Sequence, residues 1–145
     1  MFRLNESCKQ KLLQAGWSES YCTDPEPHLR WNEEGGYPRN PFAEEFFTYF
    51  GGLYIPVTDG VETAEFSTNV ANVQRDPFQL RHKVRFAPGE ERFCVCGGLI
   101  GYVVQLKITE RGNYVVQIGI QPLKINYDNA ADALCECLNP EWFDY

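Results

Sequence analysis

The run Phe46-Phe47-Thr48-Tyr49-Phe50 passes without a break into Gly51-Gly52-Leu53, and at that junction the spacing of the apolar residues changes. Before it, Asn40 and Pro41 read as an N-cap followed by a first-turn proline, and Phe42, Phe46, Tyr49 and Phe50 fall on one side at helical spacing. After it, Leu53, Ile55 and Val57 alternate with the period of a strand. Pro56 assigns that strand to a sheet edge, and Asp59-Gly60 supplies a tight hairpin turn into Ala64 and Phe66. A helix that hands over to a strand within two glycines commits this part of the chain to packing helices on a sheet.

The flanking segments extend the same plan. Leu4, Cys8, Leu12 and Ala15 predict a first helix that stops at Gly16, with Trp17 packing back; Asp24 and Pro25 start a second, short helix that runs to Gly35-Gly36. Residues 69–88 have mixed periodicity, broken by Pro77, and no element is assigned there. From the Pro88-Gly89 turn the pattern is strand-like. Ile100, Tyr102, Val104, Leu106 and Ile108 share a face, Gly112-Asn113 turns the chain into Tyr114, Val116 and Ile118, and Leu123, Ile125 and Tyr127 form a last strand. Asp128 caps a closing helix with Ala131, Leu134, Cys135 and Leu138 on one face and Pro140 at its end. The expected fold class is therefore α+β: N-terminal helices, a central, mainly antiparallel sheet and a C-terminal helix. With 145 residues and 43% hydrophobic content, residues 1–145 are expected to build one domain.

Charge narrows the partners. A net charge of −7 repels phosphate backbones and draws basic proteins over a Debye length of about 8 Å, which argues against nucleic acid and for a basic protein. Arg3 is followed at once by Asn5, Glu6 and Ser7, which is not the pattern of a secretory signal, and no apolar run approaches the ~20 residues of a membrane span. A cytoplasmic setting follows as an expectation, and with it six reduced cysteines: Cys8, Cys22, Cys94, Cys96, Cys135 and Cys137.

Each pattern that suggests chemistry has a plainer reading. His28 and His82 are the two histidines available as bases; neither sits in a catalytic motif, and both read as surface residues. Cys94/Cys96 and Cys135/Cys137 supply four thiols for zinc. On a strand the first pair shares a face, but on a helix the second pair diverges by about 200°, so the four converge only if that helix frays. Small buried residues are the expected role. The adjacent carboxylates Glu33-Glu34, Glu44-Glu45 and Glu90-Glu91 do not share a helix face and read as solvated surface, and neither Gly51-Gly52 nor Gly97-Gly98 carries a phosphate-binding pattern. No catalytic, cofactor or metal site is expected.

Gly16-Trp17, then Gly36-Tyr37-Pro38, then Phe46 to Phe50 running into Gly51-Gly52-Leu53, together resemble the SUKH superfamily, in particular its third immunity-protein subgroup. The likeness extends through Tyr102 to Ile108, Tyr114 to Ile118 and the closing helix, and departs from the family at Ser18 to Tyr21, where a basic residue is expected. It implies an immunity protein that neutralises a polymorphic toxin, often a nuclease, by binding it without catalysis. Trp31, Glu33 and Glu34, with Asp59, Glu62 and Glu65 of the first hairpin, are the expected partner-binding residues. The rival readings are a regulatory or scaffolding module for a eukaryotic or viral partner and, behind that, a zinc-dependent or hydrolytic enzyme. Nothing in the sequence sets the oligomeric state.

Overall fold

The computed structural model describes residues 4–57, 65–70, 92–99, 104–118, 121–124 and 129–138. Three helices come first, α1 (Glu6–Gln14), α2 (Glu26–Glu34) and α3 (Pro41–Phe50). Six strands follow, β1 (Tyr54–Pro56), β2 (Glu65–Ser67), β3 (Phe93–Leu99), β4 (Val104–Thr109), β5 (Tyr114–Ile118) and β6 (Gln121–Lys124), and α4 (Ala130–Cys137) closes the described chain. The strands lie side by side in chain order, and each neighbouring pair is antiparallel. The fold class is α+β, with β1 and its Pro56 at one end of the described sheet.

Asparagine caps set three of the four helix starts. Asn5 accepts from the Cys8 amide at 2.8 Å, Asn40 from Ala43 at 2.8 Å and Asn129 from Asp132 at 2.9 Å, each satisfying a first-turn amide that has no partner within the helix. The last of these corrects the expected cap at Asp128: Asn129, one residue on, supplies the side chain. At α2 the start also moves by one, with Pro25 in the cap position and Asp24 Oδ1 accepting from the Glu26 amide. The buried face of α3 is rotated from the expected one. Ala43, Phe46, Phe47 and Phe50 are buried, whereas Phe42 and Tyr49 are 38% and 39% exposed. Phe42 instead lays its ring against Gly112 in the β4–β5 turn, and Tyr49 gives its carbonyl oxygen to Trp17 Nε1 at 3.0 Å.

The double glycine that ends α3 is required at both positions. Gly52 has φ +76°, where a side chain is strained, and a Cβ on Gly51 would lie 2.5 Å from the Phe47 carbonyl oxygen and 3.2 Å from the His28 ring. Tyr21 Oη donates to the Gly51 carbonyl and holds the exit in place. Leu53, Ile55 and Val57 then point into the core, as their alternation predicts.

The sheet is sequestered on both faces along β4, where all six residues are buried. Val104, Leu106 and Ile108 face the helices and share one core with Leu12, Phe46, Phe47, Phe50, Phe66 and Leu134. Cross-strand partners share a face, so Lys107 stands between Val95 and Val115, and Phe93 is opposite Thr109, on the other side. Cys94 and Cys96, two residues apart on β3, both face the main core, and the β3–β4 register shifts between Val95 and Gly97.

Two cysteines are not the free thiols expected. Cys8 of α1 and Cys135 of α4 form a disulfide across 127 residues of sequence, with their Cα atoms 5.4 Å apart. The docking of α4 beside α1 brings them together, and Lys11 Nζ adds a hydrogen bond to the Leu138 carbonyl at 2.8 Å. Cys22, Cys94, Cys96 and Cys137 are free.

Candidate functional site

Along α2, Pro27, Arg30, Trp31 and Glu34 recur at helical spacing and form one wall of an open groove of about 280 Å³; Asn69 and Val70, just past β2, line it with them, and His28 reaches its inner side. The groove exists because of what α2 does at the margin of the sheet. The paired register of β2 with β3 stops at Ser67 and Gly98, and further back along β3 the side chain of Asn32 takes the place of a strand. Its Oδ1 accepts from the Val95 amide at 2.7 Å and its Nδ2 donates to the Val95 carbonyl at 3.0 Å and to the His28 carbonyl at 2.9 Å. Buried backbone groups are costly to leave unsatisfied, so this amide fixes how α2 sits on β3. Trp31, half-buried, packs against both the main core and a smaller cluster of Tyr37, Phe93 and Val95 on the second sheet face.

His28 is buried, which corrects its reading as a surface histidine. Its ring stacks on Phe47 at 4.9 Å between centroids and lies against the Gly51-Gly52 exit. Burial lowers its pKa, with the Asp24 charge opposing. A neutral, packed imidazole of this kind is a wall. His82 lies outside the described residues.

The expected contact residues are split by the fold. Trp31 and Glu34 lie together in the groove. Glu33 does not: it is on the neighbouring face of α2, where Arg39 binds both Glu33 and Glu26. This ion pairing holds the Glu26 carboxyl below its ordinary range and the Arg39 guanidinium above its own. Glu65 is exposed, but it opens β2 four residues before Asn69, roughly 13 Å of extended chain from the groove. Asp59 and Glu62 lie outside the described residues. Pro27, Arg30, Asn69 and Val70 were not anticipated. The spacing 27, 31, 34 carried the first part of that signal, whereas nothing local relates Asn69 and Val70 to α2.

Other groups with chemical potential are held in packing. Lys107 is fully buried, its Nζ 5.0 Å from the centre of the Phe93 ring, and burial pushes its pKa down to about 7. Cys94 donates to the Pro38 carbonyl and its thiol is pushed up to about 11, chiefly by burial; burial raises the Cys96 and Cys137 thiols as well. With α4 intact, Cys135 is bonded to Cys8 while Cys137 points into the core, and among the described residues no three metal-ligating side chains come together. Among those residues, too, no helix is long and apolar enough to cross a membrane.

Comparison of the chain with known protein families, with curated proteins and with solved structures gives no match. The SUKH resemblance therefore stands on its motif residues.

Proposed function

We propose that this chain is an immunity-type protein of the cell interior that binds a basic toxin domain in one-to-one fashion and neutralises it without making or breaking a bond. The observation that carries the reading is the α2 groove: a half-buried tryptophan on a rigidly anchored helix, between a proline and a valine, with charged groups of both signs at its edge. Tryptophan and arginine supply a disproportionate share of binding energy at protein interfaces, and they do so best when their scaffold is fixed beforehand, as Asn32 fixes α2. The net charge of −7 favours fast encounter with a basic partner. Arg30 and Glu34 both line the groove with opposite charges, so the steering is long-range and the local contact is mixed. An interface of about 1,200–2,000 Å² would extend beyond the groove onto neighbouring surface.

The test is whether a toxin domain is encoded beside the gene for this chain and, with that domain expressed, whether the chain protects the cells, followed by titration of the purified pair. Growth restored by the chain, inhibition complete at equimolar protein and a loss of at least tenfold in affinity for Trp31→Ala are expected. Protection at a small fraction of the toxin's concentration would instead mark an enzyme, and a chain that leaves the cells dying removes the immunity reading. Undiminished binding by Trp31→Ala moves the interface away from α2.

A further inference from the structure

The bond between Cys8 and Cys135 is asymmetric in a way that sets how it can be opened. Cys8 is 3% exposed, while Cys135 is half-buried, so Cys135 is the more open of the two residues to a dissolved thiol. The two helix ends act on the sulfurs in opposite senses. Cys8 occupies the first turn of α1, its amide bonded to the Asn5 cap; the positive end of that helix favours a thiolate there, while the burial of Cys8 opposes one. Cys135 lies in the last turn of α4, where the helix end and the adjacent Glu136 both disfavour one. Glu6 works against Cys8 in the same turn; it is exposed, and its carboxylate accepts from Gln10.

We propose that Cys8–Cys135 is a thiol-cleavable clasp between the first and last described helices, opened from the Cys135 side by a small thiol such as glutathione. The glutathione thiolate attacks the Cys135 sulfur, the bond to Cys8 breaks, and its electron pair leaves on the Cys8 sulfur. The products are a glutathionyl disulfide at Cys135 and a thiolate at Cys8. A second glutathione thiolate then attacks the mixed disulfide at the glutathione sulfur. This releases glutathione disulfide and the Cys135 thiolate; both protein thiolates take up protons, and the two electrons come from the two glutathiones. Cys137, two residues away, does not intercept this exchange, because its buried thiol is held protonated. Glutathione disulfide closes the clasp by the reverse steps. Once open, α1 is held to α4 by packing and by the Lys11 bond to Leu138.

Protein purified in air is exposed to glutathione under native conditions, quenched with iodoacetamide at intervals and mapped by peptide mass spectrometry. Early time points should carry glutathione on Cys135 and carbamidomethyl on Cys8 of the same molecules, and late ones carbamidomethyl on both. Reduction should also lower the melting temperature of the wild type and leave that of the Cys8→Ser/Cys135→Ser double variant unchanged. An adduct on Cys8, an even split between the two sulfurs, or two freely alkylated cysteines before any thiol is added would each overturn the proposal. A melting temperature that does not respond to reduction would show that the bond fastens nothing. The wild-type measurements stand even if the double variant fails to fold.

Discussion

The two faces of β4 are both closed to water and are built from opposite materials. Toward the helices stand Val104, Leu106 and Ile108, which join a continuous apolar core; away from them stand Gln105, Lys107 and Thr109, just as buried, beside Phe93, Val95 and Val115. On the first face, packing alone determines stability, and the cost of a change follows the volume removed. On the second, stability depends on keeping polar groups partnered and on the protonation of one amine. The difference shows that alternation along a strand reports the chemistry of its two faces and says nothing of which one is wet.

Four substitutions set the faces and their margins against each other. Phe47→Ala, which empties the helix side and removes the ring under His28, should cost about 3–5 kcal/mol in denaturant unfolding. Lys107→Met removes a charge from the interior and should shift stability in a way that depends on pH, most in its favour at pH 7 and below. The pH dependence fixes its sign. Lys107's pKa falls from 10.5 when exposed to about 7 in the fold, so both states carry the proton below pH 7 and the penalty is full. From pH 7 to about 10.5 the folded protein has lost that proton while the unfolded one keeps it, and the penalty fades. Wild-type stability should therefore gain a rising component through this window that Lys107→Met lacks. If the two unfolding profiles run parallel from pH 6 to 10, the second face does not hold a titrating amine.

Asn32→Ala, at the margin where both faces meet α2, should cost about 1–3 kcal/mol by leaving the Val95 amide and carbonyl without their partner. Hydrogen exchange at the Val95 amide is the sharper readout, because it should accelerate even if the global change is small. The smallest effect belongs to Glu33→Gln. Arg39 keeps Glu26, and the pair is exposed, so no resolvable shift in melting temperature is expected. A clear loss of stability there would mean that the ion pair, rather than Asn32, seats α2.

Local signals in the sequence are legible and distant ones are not. The Asn40-Pro41 start, the Gly16 and Gly51-Gly52 stops and the Leu53-Ile55-Val57 alternation depend on residues within a turn or two of each other, and the fold reproduces them. The facing of α3 missed because Phe42 and Tyr49 are as apolar as the residues that displaced them; the choice is made by β4–β5 and Trp17, which lie far along the chain or on another element. Lys107 was unremarked, since a lysine on an alternating strand gives no sign that the second face is covered. For the site, Trp31 and Glu34 were legible as an aromatic and an acid on one short helix. Helical spacing also separates Glu33 from Glu34; what it does not tell is that Arg39 pairs with Glu33, and that the far wall of the groove depends on where β2 ends. The Cys8–Cys135 pairing is invisible at a spacing of 127 residues until α4 is placed beside α1.

A sheet whose spatial order repeats its chain order can be laid down by accretion during synthesis. Each new strand finds its neighbour already waiting, and the connections closed are short except the one from Ser67 to Phe93. The first helix alone must wait for a mate that emerges more than a hundred residues later. The fastening of α1 is thus timed by the emergence of α4, and a truncation that spares the described strands but removes α4 should leave α1 without its covalent tie.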